Sequence, residues 1–488
     1  MASLGLHNWA GNLQYSATKL HEPCSVEEVQ EIVRRSAFLR VVGSRHCFNA
    51  IADAEELMSL GNLKGVVSMD AAARQVTIWG GTTYGELCPV LESHGLAIHN
   101  LASLPHISVA GAVATASHGS GQCNGNLATA VVGMQLVAGQ GKVIELHEDT
   151  DARALRDAVV GLGCLGVVTQ LTLRVEPSFR IRQRVFDGLF LSMLSQERLD
   201  SVLGASYSVS LFTSWRPAST QSDDIEFRVW LKQREADGKG LGQHGWPTIE
   251  QLSEGVDAPL SGCIECSTKQ FPLKGMDPTN CTDQSCTGPW YDRLPHFRLE
   301  FEPAFGEELQ SEYFVPRARA AESLRAVQEV APTITPFLLC SEIRSVSADG
   351  LLMSPHGERQ VGPNGSIAIH FSWRKQEAEI MTQVLPVLEQ ALEPFEARPH
   401  WGKLFAMPRE RLELLYNGAL CEFRSIMQRY DPAAQFRNPW VEATITGVAP
   451  CGSRGSGAER PHGCTKAAAT GEIKGVRAGS PRAAVAGA

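Results

Sequence analysis

Regularly spaced hydrophobic residues divide the first third of the chain into predicted helices and strands. Behind Ser25, which suits a helix N-cap, residues 25–36 carry apolar side chains at helical spacing. The same spacing predicts helices at 82–94 and 151–160. Runs rich in β-branched residues predict strands at 38–43, 65–70, 74–81, 130–137 and 166–175. This mixture predicts an α+β domain, and the lack of G-x-G-x-x-G after a strand argues against a Rossmann fold.

After Pro177 the pattern becomes rich in strands. Alternating or β-rich segments occur at 180–186, 209–215, 225–231, 297–301 and 311–315. They predict a second domain with a large antiparallel sheet, covered by helices at 320–330 and 377–392. A last helix is predicted at 416–429.

Composition and charge narrow the classes of function. A chain of 488 residues with 43% hydrophobic residues favours two domains with sizeable cores. The net charge of −9, without a long basic block, argues against nucleic acid or an anionic membrane as a partner. The chain has no run of about eighteen apolar residues, so no transmembrane helix is expected. Its first residues do not resemble a secretory signal and its last residues are no peroxisomal signal, so we expect a cytoplasmic location.

The 13 cysteines are odd in number and mostly scattered, which is typical of free thiols in a reducing compartment. Four of them combine a C-x-x-C pair with a looser C-x4-C pair: Cys263, Cys266, Cys281 and Cys286. These four thiols fit either a zinc site or a variable loop. Because the second spacing is irregular, we predict no metal there. From Thr444 onward the chain has almost no large apolar residue, so a disordered tail is predicted for 444–488.

The first candidate for chemistry is the stretch VVGSRHCFN at 41–49. A β-branched pair runs into Gly43 and Ser44, which reads as a strand that ends in a tight turn. Successive turn amides and a hydroxyl can hold a phosphate. His46 follows at once, and a neutral imidazole can act as a nucleophile. The same residues are also compatible with a strand followed by an ordinary surface loop.

A second candidate is LASLPHISVAGAVATASHGSG at 101–121, where no residue from Ser108 to Ser117 is larger than valine. Such small residues let the backbone lie against a flat ring or a diphosphate. A tightly packed turn is the alternative, but a run this small buries little apolar area unless something fills the space beside it.

The second domain adds polar side chains on two predicted strands. Glu342 and Arg344 are two residues apart and share a face, as do His370 and Ser372. Lys403 lies in the largely apolar stretch HWGKLFAMP. These groups are compatible with a polar pocket. The same residues are also compatible with a solvated sheet face and a surface lysine.

Five motifs, in order, resemble the alditol and xylitol oxidases: GSRHCFN, SLPHISVAGAVATASHGSG, SEIR, HFSW and HWGK. Those enzymes are part of the vanillyl-alcohol-oxidase and sugar-lactone-oxidase group of flavoproteins. The resemblance runs from Asn8 to Trp440 and weakens between about 235 and 286. It implies an α+β fold with a PCMH-type FAD-binding domain at 1–177, a substrate-binding cap at 178–398 and a segment at 399–443 that returns to the FAD domain.

The resemblance also implies which residues act. FAD is expected on Val41, Val42, Gly43, Ser44, Arg45, His46, Cys47, Ser103, Ser108, Gly111, Thr115, Ala116, Ser117, His118, Val168 and His400. His46 matches the position that carries the flavin covalently. The substrate is expected on Ser103, Glu342, Arg344, His370, Ser372 and Lys403. Of these, Lys403, Arg344 and Glu342 are the expected catalytic residues, Lys403 as proton acceptor and Arg344 as the cation beside the developing alkoxide.

Three functions remain open at this point. The first is an FAD-dependent alditol oxidase that converts the C1 hydroxyl of a polyol to an aldose and O2 to H2O2. The second is an aldonolactone oxidase or dehydrogenase of the same group. The third is a non-catalytic flavin- or sugar-binding protein, which the retention of every polar candidate disfavours. The sequence leaves the oligomeric state open, and a monomer is compatible with it.

Overall fold

The protein is described by a computed structural model that covers residues 3–235, 249–255, 258–284, 286–300 and 307–447. The described residues, up to Gly447, form one compact unit. The predicted tail, 444–488, lies outside the described residues from 448 onward. Its first residues are described, and they form a helical turn, Glu442–Thr446, in which Ile445 is fully buried. The predicted start of the tail is therefore a few residues too early, because Ile445 has a place in the core.

The first part of the chain forms two sheets. A three-stranded parallel sheet has the order β1-β3-β2, and a five-stranded antiparallel sheet has the order β4-β5-β9-β7-β8. Their strands are β1 (Lys19–His21), β2 (Arg40–Val42), β3 (Glu56–Ser59), β4 (Val66–Asp70), β5 (Gln75–Trp79), β7 (Val131–Ala138), β8 (Lys142–His147) and β9 (Val167–Arg174). A small pair joins β6 (Leu96–Ala97) to β10 (Glu176–Pro177).

Four helices accompany these sheets: α1 (Val26–Arg35), α2 (Tyr84–Ser93), α3 (Val109–Ala114) and α4 (Glu148–Val159). Ser25 caps α1 as predicted, since its hydroxyl accepts a hydrogen bond from the amide of Glu28. Thr83 caps α2 and forms a reciprocal pair with Glu86. The predicted helices and strands of this part are all present, within a few residues at their ends.

The second part of the chain forms one large antiparallel sheet with the main order β15-β11-β14-β12-β18-β19-β17-β20. Its strands are β11 (Arg180–Phe190), β12 (Ser208–Thr213), β13 (Pro217–Ser219), β14 (Ser222–Arg234), β15 (Ile264–Glu265), β16 (Gly288–Pro289), β17 (Glu308–Pro316), β18 (Leu338–Val346), β19 (Ser366–Arg374) and β20 (Arg398–Pro399). The strand predicted at 297–301 is wrong in its described part. There Phe297 makes only an isolated bridge to Cys281, and Leu299 and Glu300 lie in a turn.

The remaining helices lie along and after this sheet. They are α5 (Gln196–Leu203), α6 (Ile249–Ser253), α7 (Trp290–Arg293), α8 (Ala320–Glu329), α9 (Ala331–Ile334), α10 (Glu358–Val361), α11 (Glu377–Glu379), α12 (Leu385–Leu392), α13 (Arg409–Leu415), α14 (Ala419–Tyr430) and α15 (Pro439–Val441). A π-helical turn, Ile380–Val384, joins α11 to α12, so the helix predicted at 377–392 is continuous but not regular. None of the described helices is long and apolar enough to cross a membrane.

Two large hydrophobic cores organise the described chain. One fills the space around the five-stranded sheet and also receives Trp401, Leu412 and Phe423, so the chain returns to this first core after β20. The other packs α5, α8 and α12 against one face of the large sheet. The two cores agree with a flavin domain and a cap domain, whose boundaries stay predictions. The opposite face of the large sheet carries a small apolar cluster around Phe212 and Trp230 and the polar residues of β17, β18 and β19 that line a cavity.

Candidate active site

The turn after β2 brings the first two sequence motifs into contact. The amide of Ser108 donates a hydrogen bond to the hydroxyl of Ser44, with 3.1 Å between the two atoms. A Cβ atom on Gly43 would lie 2.1 Å from the Ser108 hydroxyl, so a larger residue at Gly43 would require Ser108 to move. The turn and the small-residue stretch therefore form one cradle. Part of that stretch is the short helix α3, which the sequence analysis did not predict.

His46 is held in a fixed position within this cradle. Its ring stacks on Trp9, with 5.1 Å between the ring centroids. The amide of Trp9 donates to the carbonyl of Arg45, whose backbone is left-handed with φ of 59°. Burial lowers the pKa of His46 to about 4, and Ser44 opposes that shift only in part. The imidazole is therefore neutral at neutral pH, and its buried Nδ1 atom makes no hydrogen bond of normal geometry within the described chain.

A cavity of about 1250 Å³ extends from this cradle to the large sheet. The cradle residues from Val41 to Cys47 form one wall. Polar residues of β17, β18 and β19, together with Lys403, form another. A flavin-sized site and a polar pocket therefore open into the same space.

Strand register places the polar residues of that wall in one row. Glu312 of β17 is paired with His370 of β19, and His370 is paired with Glu342 of β18. Residues opposite each other in neighbouring strands point to the same face. Two residues further along these strands, on the same face, Gln310 and Ser372 form a second row. The rows explain how residues far apart in sequence meet in one pocket.

Glu312 is the centre of the charged cluster, although the sequence analysis did not single it out. It is 1% exposed, and its two oxygens accept hydrogen bonds from Arg344 Nη2 and Lys403 Nζ, each at 2.7 Å. His118 Nε2 lies 3.2 Å from the same carboxylate. Burial acts to raise the pKa of Glu312, but the charges of Lys403, His118 and Arg344 outweigh it and hold that pKa well below its ordinary value.

Lys403 begins a short chain of hydrogen bonds along β19. Its Nζ atom lies 2.9 Å from Nδ1 of His370, and Nε2 of His370 lies 3.1 Å from the hydroxyl of Ser372. Burial lowers the pKa of Lys403. Burial, followed by the charge of Lys403, lowers the pKa of His370 to about 3, so His370 stays neutral. An ammonium has only donors, so Nδ1 of a neutral His370 accepts and Nε2 donates to Ser372.

The loop that carries Lys403 is bound to the His46 loop. The side-chain amide of Asn49 donates to the carbonyl groups of Trp401 and Lys403, at 2.9 and 2.8 Å. The amide of Phe48 donates to the carbonyl of Gly402. The cradle and the lysine are therefore parts of one bonded assembly.

Arg344 and Glu342 complete the wall toward Ser103. Nη1 of Arg344 lies 3.4 Å from the Ser103 hydroxyl, and Nε lies 3.5 Å from Glu342. His296 Nε2 lies 2.7 Å from the other oxygen of Glu342. Although burial favours the neutral acid, Arg344 and His296 hold the pKa of Glu342 far below its ordinary value. The wall thus offers a carboxylate acceptor beside a guanidinium donor.

The structure brings the predicted residues together, with one exception. All six substrate candidates line the cavity: Ser103, Glu342, Arg344, His370, Ser372 and Lys403. Every predicted cofactor residue also lines it, apart from Ala116. Ala116 has a left-handed backbone with φ of 54°, and its side chain packs into the first core instead. His118 and His400 line the part of the cavity beside Glu312, where each lies in an aromatic cluster with Phe314.

Four polar residues of this region were not predicted: Glu312, Gln310, His296 and Lys232. A signal existed for the first two, since Glu308, Gln310 and Glu312 occupy every second position of one strand and so share a face. The other two come from segments whose proximity depends on the topology of the sheet.

The cysteine pairs do not converge on a metal site. Among the described residues, no group of three or more His, Cys, Asp or Glu side chains is placed to hold a metal ion. Cys281 is instead buried against Phe212 and Trp230, and the eleven described cysteines are free thiols.

Comparison with known proteins adds independent observations. A model of an FAD-binding domain family matches residues 18–147, and a model of D-arabinono-1,4-lactone oxidase matches residues 306–444. The chain is 40% identical to an alditol oxidase of a Streptomyces species over 91% of this chain and all of the relative. It is 26% identical to L-gulonolactone oxidase of Bos taurus over 89% of this chain and 97% of the relative. A solved cholesterol oxidase of B. sterolicum shares the fold, with a TM-score of 0.66, 14% identity and coverage of 90% and 96%.

Proposed function

We propose that this protein oxidises the C1 hydroxyl of a polyol to the aldose and reduces O2 to H2O2. The chain belongs to the family of FAD-dependent alditol and sugar-lactone oxidases. One observation carries this proposal. The Glu312–Lys403–Arg344 cluster faces the same cavity as the cradle around Gly43 and His46. An oxidoreductase of CH–OH groups needs this arrangement, in which the substrate carbon and the hydride acceptor share one space.

The cradle fits FAD. A Cβ atom on Gly43 would clash with the Ser108 hydroxyl, and the buried Nδ1 atom of His46 makes no hydrogen bond of normal geometry to the described residues. The turn amides after β2 suit a diphosphate, and the small residues of α3 leave room for a flat ring. When bound, FAD supplies the hydride acceptor that none of the amino-acid side chains provides.

Lys403 is the proposed acceptor of the C1 hydroxyl proton. A lowered pKa makes a lysine an effective base near neutral pH, and burial lowers the pKa of Lys403. Glu312 and His370 orient its Nζ atom through bonds of 2.7 and 2.9 Å. Arg344 remains charged and stabilises the oxygen anion that develops as the proton leaves.

The same wall satisfies the other hydroxyls of a polyol. Each hydroxyl both donates and accepts, and it loses its water when it enters the cavity. Glu342 offers acceptors, and the rows that contain His370, Ser372 and Gln310 add further polar groups along the same wall. A step of two residues along a strand covers about 6.8 Å, which is the scale of a five- or six-carbon chain. Xylitol and sorbitol are therefore the first substrates to test.

The attachment of FAD through His46 is part of the proposal. Its neutral imidazole, stacked on Trp9, has the nucleophilic form that such a link requires. In the His46→Ala variant, flavin should be released by acid precipitation, whereas wild-type flavin should stay with the pellet. His21→Ala is a control, because His21 pairs with Glu56 on the neighbouring strand and does not line the cavity. Release of flavin from the wild-type pellet would exclude the link.

A cytoplasmic location also belongs to the proposal. The eleven described cysteines are free thiols, which suits a reducing compartment.

Aldonolactone oxidation is the second candidate, because the lactone oxidase family model matches residues 306–444, where Glu312, Arg344 and Lys403 lie. Peroxide release tests the two candidates side by side. We expect peroxide with xylitol, sorbitol or glycerol, at a higher kcat/KM than with D-arabinono-1,4-lactone or L-gulono-1,4-lactone. Activity with a lactone alone would favour the second candidate. A yellow protein that turns over neither class would be a non-catalytic flavin-binding protein.

A further inference from the structure

Lys232 of β14 is a buried lysine outside the catalytic cluster. It is 1% exposed and does not line the cavity. Its Nζ atom donates to the carbonyl oxygens of Leu294 and Pro295 and lies 3.1 Å from Nδ1 of His296. An ammonium has three donors, and these three acceptors use all of them. The geometry therefore fits the charged form of Lys232, although burial lowers its pKa to about 7.

This contact and the ionised carboxylate of Glu342 both place the proton of His296 on the same nitrogen. Because the ammonium of Lys232 only donates, Nδ1 of His296 must accept. The proton of the neutral ring is then on Nε2, which lies 2.7 Å from Oε1 of Glu342 and donates to it. Burial lowers the pKa of His296 to about 4, so the ring is neutral at neutral pH.

Packing fixes the orientation of the same ring. Phe212 and Trp230 meet it edge to face, each with 5.4 Å between ring centroids. The backbone of His296 is also tied down, since its amide donates to the carbonyl of Ser103 and its carbonyl accepts from the amide of Thr282. Turning the ring over would break the contacts of its two nitrogen atoms with Lys232 and Glu342.

The fixed proton on His296 Nε2 determines the orientation of Glu342, which lines the cavity. With Oε1 bonded to His296, the carboxylate is held with Oε2 3.5 Å from Nε of Arg344. Without the Nε2 donor, the carboxylate is free to rotate toward the guanidinium, and an acceptor is lost from the cavity wall. The chain Lys232–His296–Glu342 therefore links a residue outside the cavity to one that faces the substrate.

We propose that Lys232 and His296 are positioning residues for the polyol: they keep the proton on His296 Nε2 and so hold Glu342 as the acceptor for the hydroxyl next to C1. This inference rests on the proposed polyol oxidation. It assigns a function to two residues in segments that show no obvious site motif. It also explains why a lysine is buried among aromatic rings, where an unpartnered charge would be strongly unfavourable.

The test compares substrates with and without the hydroxyl next to C1. Sorbitol and 2-deoxysorbitol form one pair, and glycerol and 1,3-propanediol form another. Lys232→Met keeps the length of the side chain and removes the donor. We expect it to lower kcat/KM for sorbitol and glycerol by at least about tenfold, mainly through KM, because a hydrogen bond to a charged group is lost. The 2-deoxy substrates should change by less than about twofold.

Two further variants separate positioning from folding. His296→Gln places an amide nitrogen near the position of Nε2 and should retain more activity on sorbitol than His296→Leu. Adding Lys232→Met to Glu342→Gln should cause no further loss, since both changes remove the same interaction. Lys269→Met is the control, because Lys269 lies in the same domain, donates only to Thr279 and does not line the cavity.

The outcomes are distinct. Equal losses on hydroxyl and deoxy substrates, or additive losses in the double variant, would overturn the inference. If Lys232→Met fails to fold with flavin, the comparison of His296→Gln with His296→Leu decides by the same substrate pairs. A wild-type enzyme without activity on any polyol would instead overturn the proposed function, and that result is seen before any variant is made.

Discussion

At Glu312, a single buried carboxylate holds two cations in place. Arg344 and Lys403 each donate to it at 2.7 Å, and it is 1% exposed. Removing one member of such a buried group leaves the others uncompensated, which costs more than the group as a whole contributes. The carboxylate therefore organises the positive charge that the reaction requires.

Glu312→Gln should lower the free energy of unfolding of the flavin-loaded protein by about 3 kcal/mol. Flavin reduction by xylitol should also slow, because Lys403 and Arg344 lose the anion that orients them. Urea unfolding and stopped-flow absorbance measure the two effects. Glu389→Gln is the matched control. The half-buried Glu389 carboxyl accepts hydrogen bonds from the Tyr313 hydroxyl and the Ala406 amide, and burial raises its pKa. Equal stability losses in both variants would argue against a special role for the Glu312 charge.

The pH dependence of flavin reduction should reveal Lys403. A lysine accepts a proton only in its neutral form, and burial lowers its pKa from the ordinary value of about 10.4. The reduction rate should therefore rise with pH through this lowered pKa and then level off.

Lys403→Arg should be slow and should lose this rise, because the guanidinium stays protonated over the whole range. His370→Gln should keep the rise, since the pKa of His370 is already lowered to about 3. A rise that persists in Lys403→Arg would assign the proton to another group.

Sequence reasoning at this scale succeeded where residue type and spacing were sufficient. Glu342 and Arg344 were predicted to share a face, and both line the cavity. Glu312 was missed because an alternating strand does not show which of its faces meets the cofactor until the register with its neighbours is known. Ala116 lies in a matched motif, yet its backbone conformation directs its side chain into the core.

At the scale of elements, the site depends on a contact between two loops. Asn49 follows the His46 turn and donates to the carbonyls of Trp401 and Lys403. This side chain and the backbone hydrogen bond from Phe48 to Gly402 together fix the lysine relative to the cradle. Small misplacements of a catalytic group reduce rates strongly.

Asn49→Ala should lower kcat for xylitol by at least about tenfold, because Lys403 loses its fixed position. Flavin content should stay the same, since Asn49 does not line the cavity. Asn62→Ala is the control, because Asn62 is exposed and donates only to the carbonyl of Glu22. Unchanged kcat in Asn49→Ala would show that the lysine is positioned by other contacts.

The predicted elements were mostly correct because the spacing of apolar residues in the sequence indicates which side chains are buried. The strand expected at 297–301 failed for a physical reason. The backbone amides of His296 and Arg298 donate hydrogen bonds to the carbonyls of Ser103 and Asn280. The segment is therefore bonded to loops and not to a sheet. The sheet order, which places β12 between β14 and β18, was not available from a single sequence.

At the scale of the molecule, the chain returns to its first core after β20. Ile445 is fully buried there, and its carbonyl accepts a hydrogen bond from Arg424 at 2.7 Å. The part of the chain that the fold requires therefore extends past the predicted boundary at Thr444.

Two truncations test this boundary. Removal of residues from Val448 onward leaves these contacts intact and should change neither melting temperature nor activity. Removal from Thr444 onward also deletes Ile445, and should lower the free energy of unfolding by about 2 kcal/mol. Equal stability of the two truncations would place Ile445 outside the required core. A loss of stability on removal of residues from Val448 onward would mean that the last residues contribute to the fold.

We expect one cavity to join the flavin to the cation pair Lys403 and Arg344. Anaerobic mixing of the yellow protein with xylitol tests this most directly. The visible flavin absorbance should bleach within the turnover time, and it should return on admission of oxygen with one equivalent of H2O2. A flavin-loaded protein that stays yellow with xylitol, sorbitol and glycerol would contradict the account.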